Sequence, residues 1–256
     1  MNTVHQAPVA PTMVAHDLRA SDLRAALAAG WSDFTAFPAF GLFFAAIYVV
    51  AGLCLTLVLS GRSETRWLVT AAAGFPLFAP FAAVGLYEVS RRREAGLPMT
   101  WRSILGAMRG HGDEQILSMG VIIFVAFAFW LMVAHGIFAV FMAGAGHGAD
   151  TLAILLTGPG IAMLLVGSLA GALMALAFYA VTVISLPLLV DREIDFITAI
   201  ITSLATVRSN GRIMLAWAMV IAVSLFAAMV PLFLGLLVVL PVLGHATWHL
   251  YRRAVS

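Results

Sequence analysis

From Met214 to Leu250 no residue carries a formal charge. A run of that length exceeds one ordinary membrane span of about 20 residues and just suffices for two. The stretch "VPLFLG" around Pro231 and Gly235 supplies the turn between them. The rest of the chain agrees. Hydrophobic residues make up 62% and charged residues 10% of it, where a soluble globule carries about 25% charged residues. Mean hydropathy is +1.03. Such a chain cannot cover a soluble surface, and in lipid it must satisfy its backbone within helices. It reads as an all-α integral membrane protein.

Apolar runs predict six transmembrane helices, at 38–60, 66–89, 116–143, 160–190, 213–232 and 235–251. Arginine placement tests that count. All 14 basic residues are arginine, and six spans set every one on a single side except Arg62 and Arg66. Fusing the last two spans would throw Arg252 and Arg253 to the sparse side. The bias predicts both termini in the cytoplasm. Residues 1–15 are expected to form a flexible cytoplasmic tail and 16–256 a single six-span domain. The polar start, without a basic region leading into an apolar core, does not read as a signal peptide.

Three connectors carry apolar residues at helical spacing: Leu23, Leu27, Trp31 and Phe34; Trp101, Ile104, Leu105 and Met108; and Phe196, Ile197, Ile200, Ile201 and Leu204. Each predicts a short amphipathic helix in the plane of the interface, with Arg24 and Asp33 on the surface of the first. The chain thus reads three times as interfacial helix, span, span, a repeat of three helix hairpins.

Several function classes are excluded. A net charge of +2 gives no broad field for nucleic acid. The sole cysteine, Cys54, precludes an internal disulfide or a cysteine-based metal site. No lysine is available for a phosphate-binding loop. No carboxylate falls near the middle of a span, which argues against a carboxylate proton relay.

The remaining polar residues define the candidates. In "LGHATWHLYRR", His245 and His249 project from one helix face a turn apart. His135 lies at a similar depth on the third span. The three histidines are a metal or haem site, a substrate contact or buried polar contacts, with no carboxylate nearby in sequence to orient the rings; the last reading is the plainest. Arg91, Arg92, Arg93, Arg102 and Arg109 suit anionic lipid headgroups. Glu88, paired with Arg92 at i+4, and Asp191, Arg192 and Glu193 read as interfacial ion pairs. Pro76, Pro80 and Pro187 break spans, and such breaks bend a helix or line a transport site.

Four segments, "AGWSDFTAFPAFGLFFAAIY", "GFPLFAPFAAVGLYEVSRRREAG", "ISLPLLVDREIDFITAIITSLATV" and "LPVLGHATWHLYRR", together resemble a bacterial membrane-protein family catalogued as domain of unknown function 2189. The resemblance implies a six-span inner-membrane protein and brings no activity, substrate or catalytic residue. The expected function is non-enzymatic and cofactor-free. The protein would act as an accessory, assembly or lipid-organising subunit, with the bilayer and a respiratory or photosynthetic complex as partners. A small-molecule or lipid transporter and a haem- or metal-binding redox protein using His135, His245 and His249 are the rivals.

Overall fold

A computed structural model describes residues 13–61, 75–107, 113–142 and 156–255. Helices follow in the order α1 (Ala20–Ala36), α2 (Pro38–Gly61), α3 (Phe75–Glu94), α4 (Trp101–Gly106), α5 (Asp113–Met142), α6 (Gly158–Thr182), α7 (Ser185–Asp191), α8 (Phe196–Ser209), α9 (Gly211–Met229) and α10 (Leu236–Ala254).

Local chemistry sets several boundaries. Asp195 caps α8 by accepting the Thr198 N–H at 2.8 Å, and Thr157 caps α6 by accepting the Gly160 N–H at 3.2 Å. Between α1 and α2 the chain bends by 99°. Pro38 forces it, because the residue before a proline is driven out of helical geometry and Phe37 sits at φ −134. Pro187, the third residue of α7, interrupts the ladder between α6 and α7 through its missing N–H and its ring, yet Gly158–Asp191 still runs as one long stretch. Pro76 and Pro80, expected to break a span, lie inside a continuous α3.

The centre of the molecule is α10, whose Leu243, His245, Ala246, Trp248, Leu250, Tyr251 and Ala254 are all buried. Helix α1 lies directly on it. A Cβ at Gly30 would stand 2.6 Å from both the Ala246 nitrogen and the Val242 oxygen, so the two backbones touch. The ends of the described chain close on each other, with Val14 bridged to Val255 and the Ala15 N–H donated to the Ala254 carbonyl at 2.9 Å. Asn210 ties this clasp to α9 by accepting from the Leu18 N–H and donating to the Ala15 carbonyl.

Among the described residues three helical stretches are long and apolar enough to cross a membrane: Gln115–Met142, Gly158–Asp191 and Gly211–Met229. The bent pair Ala20–Ala36 with Pro38–Cys54 makes a fourth when taken as one span. Among the described residues the expected six spans are therefore not confirmed. Residues 62–74, the start of the expected second span, lie outside the described residues. The expected sixth span, α10, is too polar over its last three turns. Nor do the three connectors share a hairpin unit. The first turns sharply into α2, the second is only the short α4, and the third runs into α9 through Asn210.

Helix α8 is turned opposite to a helix on a soluble protein. Ala199, Thr202, Ser203 and Thr206 face inward, while Ile197, Ile201 and Leu204 are exposed. Trp31 and Trp101 on the other two connectors are exposed as well, and Trp101 packs on Phe40 with ring centroids 4.4 Å apart. Met108 lies outside the described residues.

Candidate functional site

One polar cluster joins α1, α3, α7 and α10. Helical spacing gathers its parts. On α3, Ser90 and Arg93 are three apart and Glu94 one further, so all three face α1 and α10. On α10, His245, Trp248, His249 and Arg252 repeat at i, i+3, i+4 and i+7, again one face. Burial of that face against α1 brings both sets onto Asp33.

Asp33 is the hub, only 3% exposed. Its Oδ1 accepts from Arg93 Nη1 at 2.5 Å. Its Oδ2 accepts from the Ser90 hydroxyl at 2.6 Å and lies 2.8 Å from His249 Nε2. Arg93 also reaches the Ser32 hydroxyl at 3.0 Å. A second branch leaves from Glu94, which accepts from Trp248 Nε1 at 3.1 Å and from Arg252 Nε at 3.3 Å. Arg252 then bonds Asp191 at 3.0 Å, and the Tyr251 hydroxyl donates to the same carboxylate at 2.6 Å. Buried polar groups are costly unless bonded, and this mutual satisfaction offsets the cost.

Proton counting assigns the His245 tautomer. An ionised carboxylate only accepts, so the single Ser90 proton goes to Asp33. The Ser90 oxygen, 2.8 Å from His245 Nδ1, must therefore receive the Nδ1 proton. That leaves Nε2 as a bare lone pair, buried without a hydrogen-bond partner among the described residues. The order of groups matters. In a hydrolytic triad the imidazole stands between carboxylate and serine and removes the serine proton. Here the serine stands between the other two, and Ser90 is only 1% exposed. The arrangement locks helices together and does not activate a nucleophile.

The sequence candidates fall into three groups. His245 and His249 belong to the cluster, whereas His135 stands exposed on α5, outside it. Among the described residues no three His, Cys, Asp or Glu side chains group as they would around a metal ion. Of the lipid candidates, Arg91 pairs bidentately with Glu88 at 2.7 and 2.8 Å, Arg92 bonds Ser103 at 3.1 Å, and Arg93 is held by Asp33. Arg102 is exposed, and Arg109 lies outside the described residues. Glu88 also meets Arg92, at 3.5 Å, so the expected i+4 pair forms but the i+3 pair is closer. Asp191 pairs with Arg192 at 3.8 Å, while Glu193 is exposed.

Asp33 and Ser90 escaped the sequence reading. Asp33 was expected on the surface and His245 without a carboxylate; the fold supplies that carboxylate from the other end of the chain. The signal available was an acidic residue beside Phe34 in an otherwise apolar stripe.

The Pro187 break is also closed by protein. Ser203, fully buried, donates its hydroxyl to the Ala180 carbonyl at 2.7 Å and accepts from the Ile184 N–H at 3.3 Å. Interrupted backbone groups are thereby satisfied without a cavity being needed.

Residues 68–191 match a family model described as "Predicted integral membrane protein (DUF2189)". No curated protein and no solved structure matches the chain. The matched region contains the α3 and α7 parts of the cluster, from Glu88 to Glu94 and Asp191, and leaves Asp33, His245 and His249 beyond it. Residues 68–191, just under half of the chain, are thus similar to this family of predicted integral membrane proteins, DUF2189.

Proposed function

We propose that the protein works by packing, as a non-enzymatic accessory or assembly subunit that seats an apolar helix face against a larger membrane complex. The observation that carries this reading is His135. It is exposed on α5 among Met132, Phe138 and Val140, which are 72%, 55% and 76% exposed. An imidazole facing lipid is costly, whereas a neighbouring membrane helix can offer it a hydrogen bond. Apolar residues of α6, Leu165 and Leu169, extend the uncovered surface. Transport has less support, because Ser203 fills the break at Pro187. A redox role has less support too, because His135 stands apart from the other two histidines. The arginine distribution supports cytoplasmic termini, and the resemblance to DUF2189 supports a bacterial inner membrane. Among the described lipid candidates read from the sequence, contact with anionic lipid falls to Arg102, since its neighbours on α3 are engaged, with Arg109 outside the described residues.

Photo-crosslinking residues at Met132 and Phe138 test the proposal in native membranes. The expected result is a discrete crosslinked polypeptide whose yield falls in His135→Leu. Adducts to lipid alone at both positions would sink the accessory-subunit reading.

A further inference from the structure

We infer that the corner between α8 and α9 binds an anionic phospholipid, its phosphate held between Arg208 and Arg212 and its acyl chains laid along exposed apolar stripes of the two helices. This goes beyond the packing reading and does not rest on it.

The arginines are unevenly matched by the protein's own acids. Arg91 is taken by Glu88 at 2.7 Å, Arg93 by Asp33, Arg252 by Asp191 at 3.0 Å and Arg253 by Asp17 at 3.0 Å. Asp22 also leans on Arg253, at 3.6 Å, and Asp195 turns back onto Thr198. Among the described residues no carboxylate comes within ion-pair reach of Arg208 or Arg212, and both are exposed. A guanidinium matches a phosphate through paired N–H donors. An uncommitted arginine at a membrane surface finds that counter-ion in the lipid.

The corner that carries the two arginines is fixed. Asn210 stands between them, only 7% exposed. Its side chain accepts from the Leu18 N–H at 3.2 Å and donates to the Ala15 carbonyl at 2.7 Å and the Thr206 carbonyl at 3.2 Å. Four residues of chain, ~14 Å at full extension, are the most that can separate Arg208 from Arg212. Both side chains can therefore close on one phosphate.

Helical spacing continues each arginine into an apolar stripe. On α8, Ile197, Ile201, Leu204 and Arg208 repeat at i, i+4, i+7 and i+11, all exposed. On α9, Arg212, Leu215, Met219 and Val223 repeat at i, i+3, i+7 and i+11, again all exposed. Helix α9 is long and apolar enough to cross a membrane, and Arg212 is its second residue. The charge thus stands at headgroup level while the residues beyond it on the same face meet acyl chains. One molecule with an anionic head and apolar tails satisfies both parts; a free anion satisfies only the first.

Native mass spectrometry of the purified protein in mild detergent reads the site. Dioleoylphosphatidylglycerol and dioleoylphosphatidylcholine are added separately and the retained adducts counted. The expected result is several-fold greater retention of the phosphatidylglycerol, falling to the phosphatidylcholine level in Arg208→Gln/Arg212→Gln. Arg24→Gln, which removes an exposed arginine of α1, should leave retention unchanged. Millimolar inorganic phosphate should not displace the lipid. Undiminished retention in the double variant would overturn the inference, as would an equal loss in Arg24→Gln, which would mean a diffuse charge effect. Displacement by phosphate would make the corner a free-anion site and overturn it too. Should the double variant fail to purify, Arg212→Gln alone is read by the same criteria.

Discussion

The Asp33 carboxylate and the His249 ring, 216 residues apart in the chain, stand 2.8 Å from each other. Between them they close a loop that contains nearly the whole protein. Arg93 and Ser90 bring α3 into the same contact, so one carboxylate holds three helices.

Replacing that carboxylate should be costly. Asp33→Asn removes the charge that Arg93 and His249 face and leaves their donors competing for an amide. Breaking a buried charged contact costs about 3–5 kcal/mol, and the partial exposure of Arg93 places this case at or below the lower figure. Thermal unfolding in mild detergent reads it directly. A double substitution with Arg93→Met should be less than additive, and full additivity would show that the pair is not coupled.

The tautomer of His245 is a spectroscopic prediction. Nitrogen-15 shifts of selectively labelled histidine should show His245 protonated at Nδ1 and bare at Nε2. Ser90→Ala should abolish that preference, since it removes the acceptor of the Nδ1 proton. A proton found on Nε2 in the unsubstituted protein would reverse the hydrogen-bond order assigned to the cluster.

Gly30 and Gly167 make a paired test of packing. Gly30→Ala must push α1 away from Val242 and Ala246, an overpacking cost of about 1–3 kcal/mol. At Gly167 a Cβ meets nothing within 4 Å. Alanine there should be neutral or stabilising by up to about 1 kcal/mol, from helix propensity alone. Equal effects at the two sites would contradict the backbone contact between α1 and α10.

Ser203→Ala should destabilise the α6–α7 break by about 1–3 kcal/mol, because the Ala180 carbonyl loses its buried donor and the Ile184 N–H its acceptor. Proteolysis near residues 180–184 offers a local readout. Unchanged protection would mean that the break is held by something other than Ser203.

The terminal clasp should be acid-sensitive. Arg253 donates to Asp17 at 3.0 Å, and this hydrogen bond and the charge behind it hold the Asp17 carboxyl below its ordinary 3.8. A lowered carboxyl stabilises the fold above its unfolded value and loses that contribution as pH falls through the lowered one. Exchange of the Ala15 amide, bonded to Ala254, should therefore accelerate once pH drops below 3.8. In Asp17→Asn that acceleration should be absent; its persistence would place the sensitivity elsewhere.

How far these features were legible in the sequence differs by kind. The helices at 116–143, 160–190 and 213–232 were readable because apolar runs report their own length. The turn at Pro231–Gly235 was readable because the uncharged stretch from Met214 to Leu250 is too long for one span and needs a turn within it. Pairing of Glu88 with Arg91 and Arg92 was within reach of i+3 and i+4 spacing. Asp33 was not, since its environment is created by α3 and α10, which no local pattern identifies as its neighbours.

By itself, then, the sequence determined the solvent. That is a sum over residues: hydropathy places a helix in lipid, whichever helices happen to touch. Only the tertiary structure decided which groups meet. A hydrogen bond between Asp33 and His249 depends on Gly30 admitting two backbones to contact. The seat of the α9–α10 turn depends on Phe233 meeting α2 at Gly52. Those are questions of shape between distant segments, and composition does not carry them.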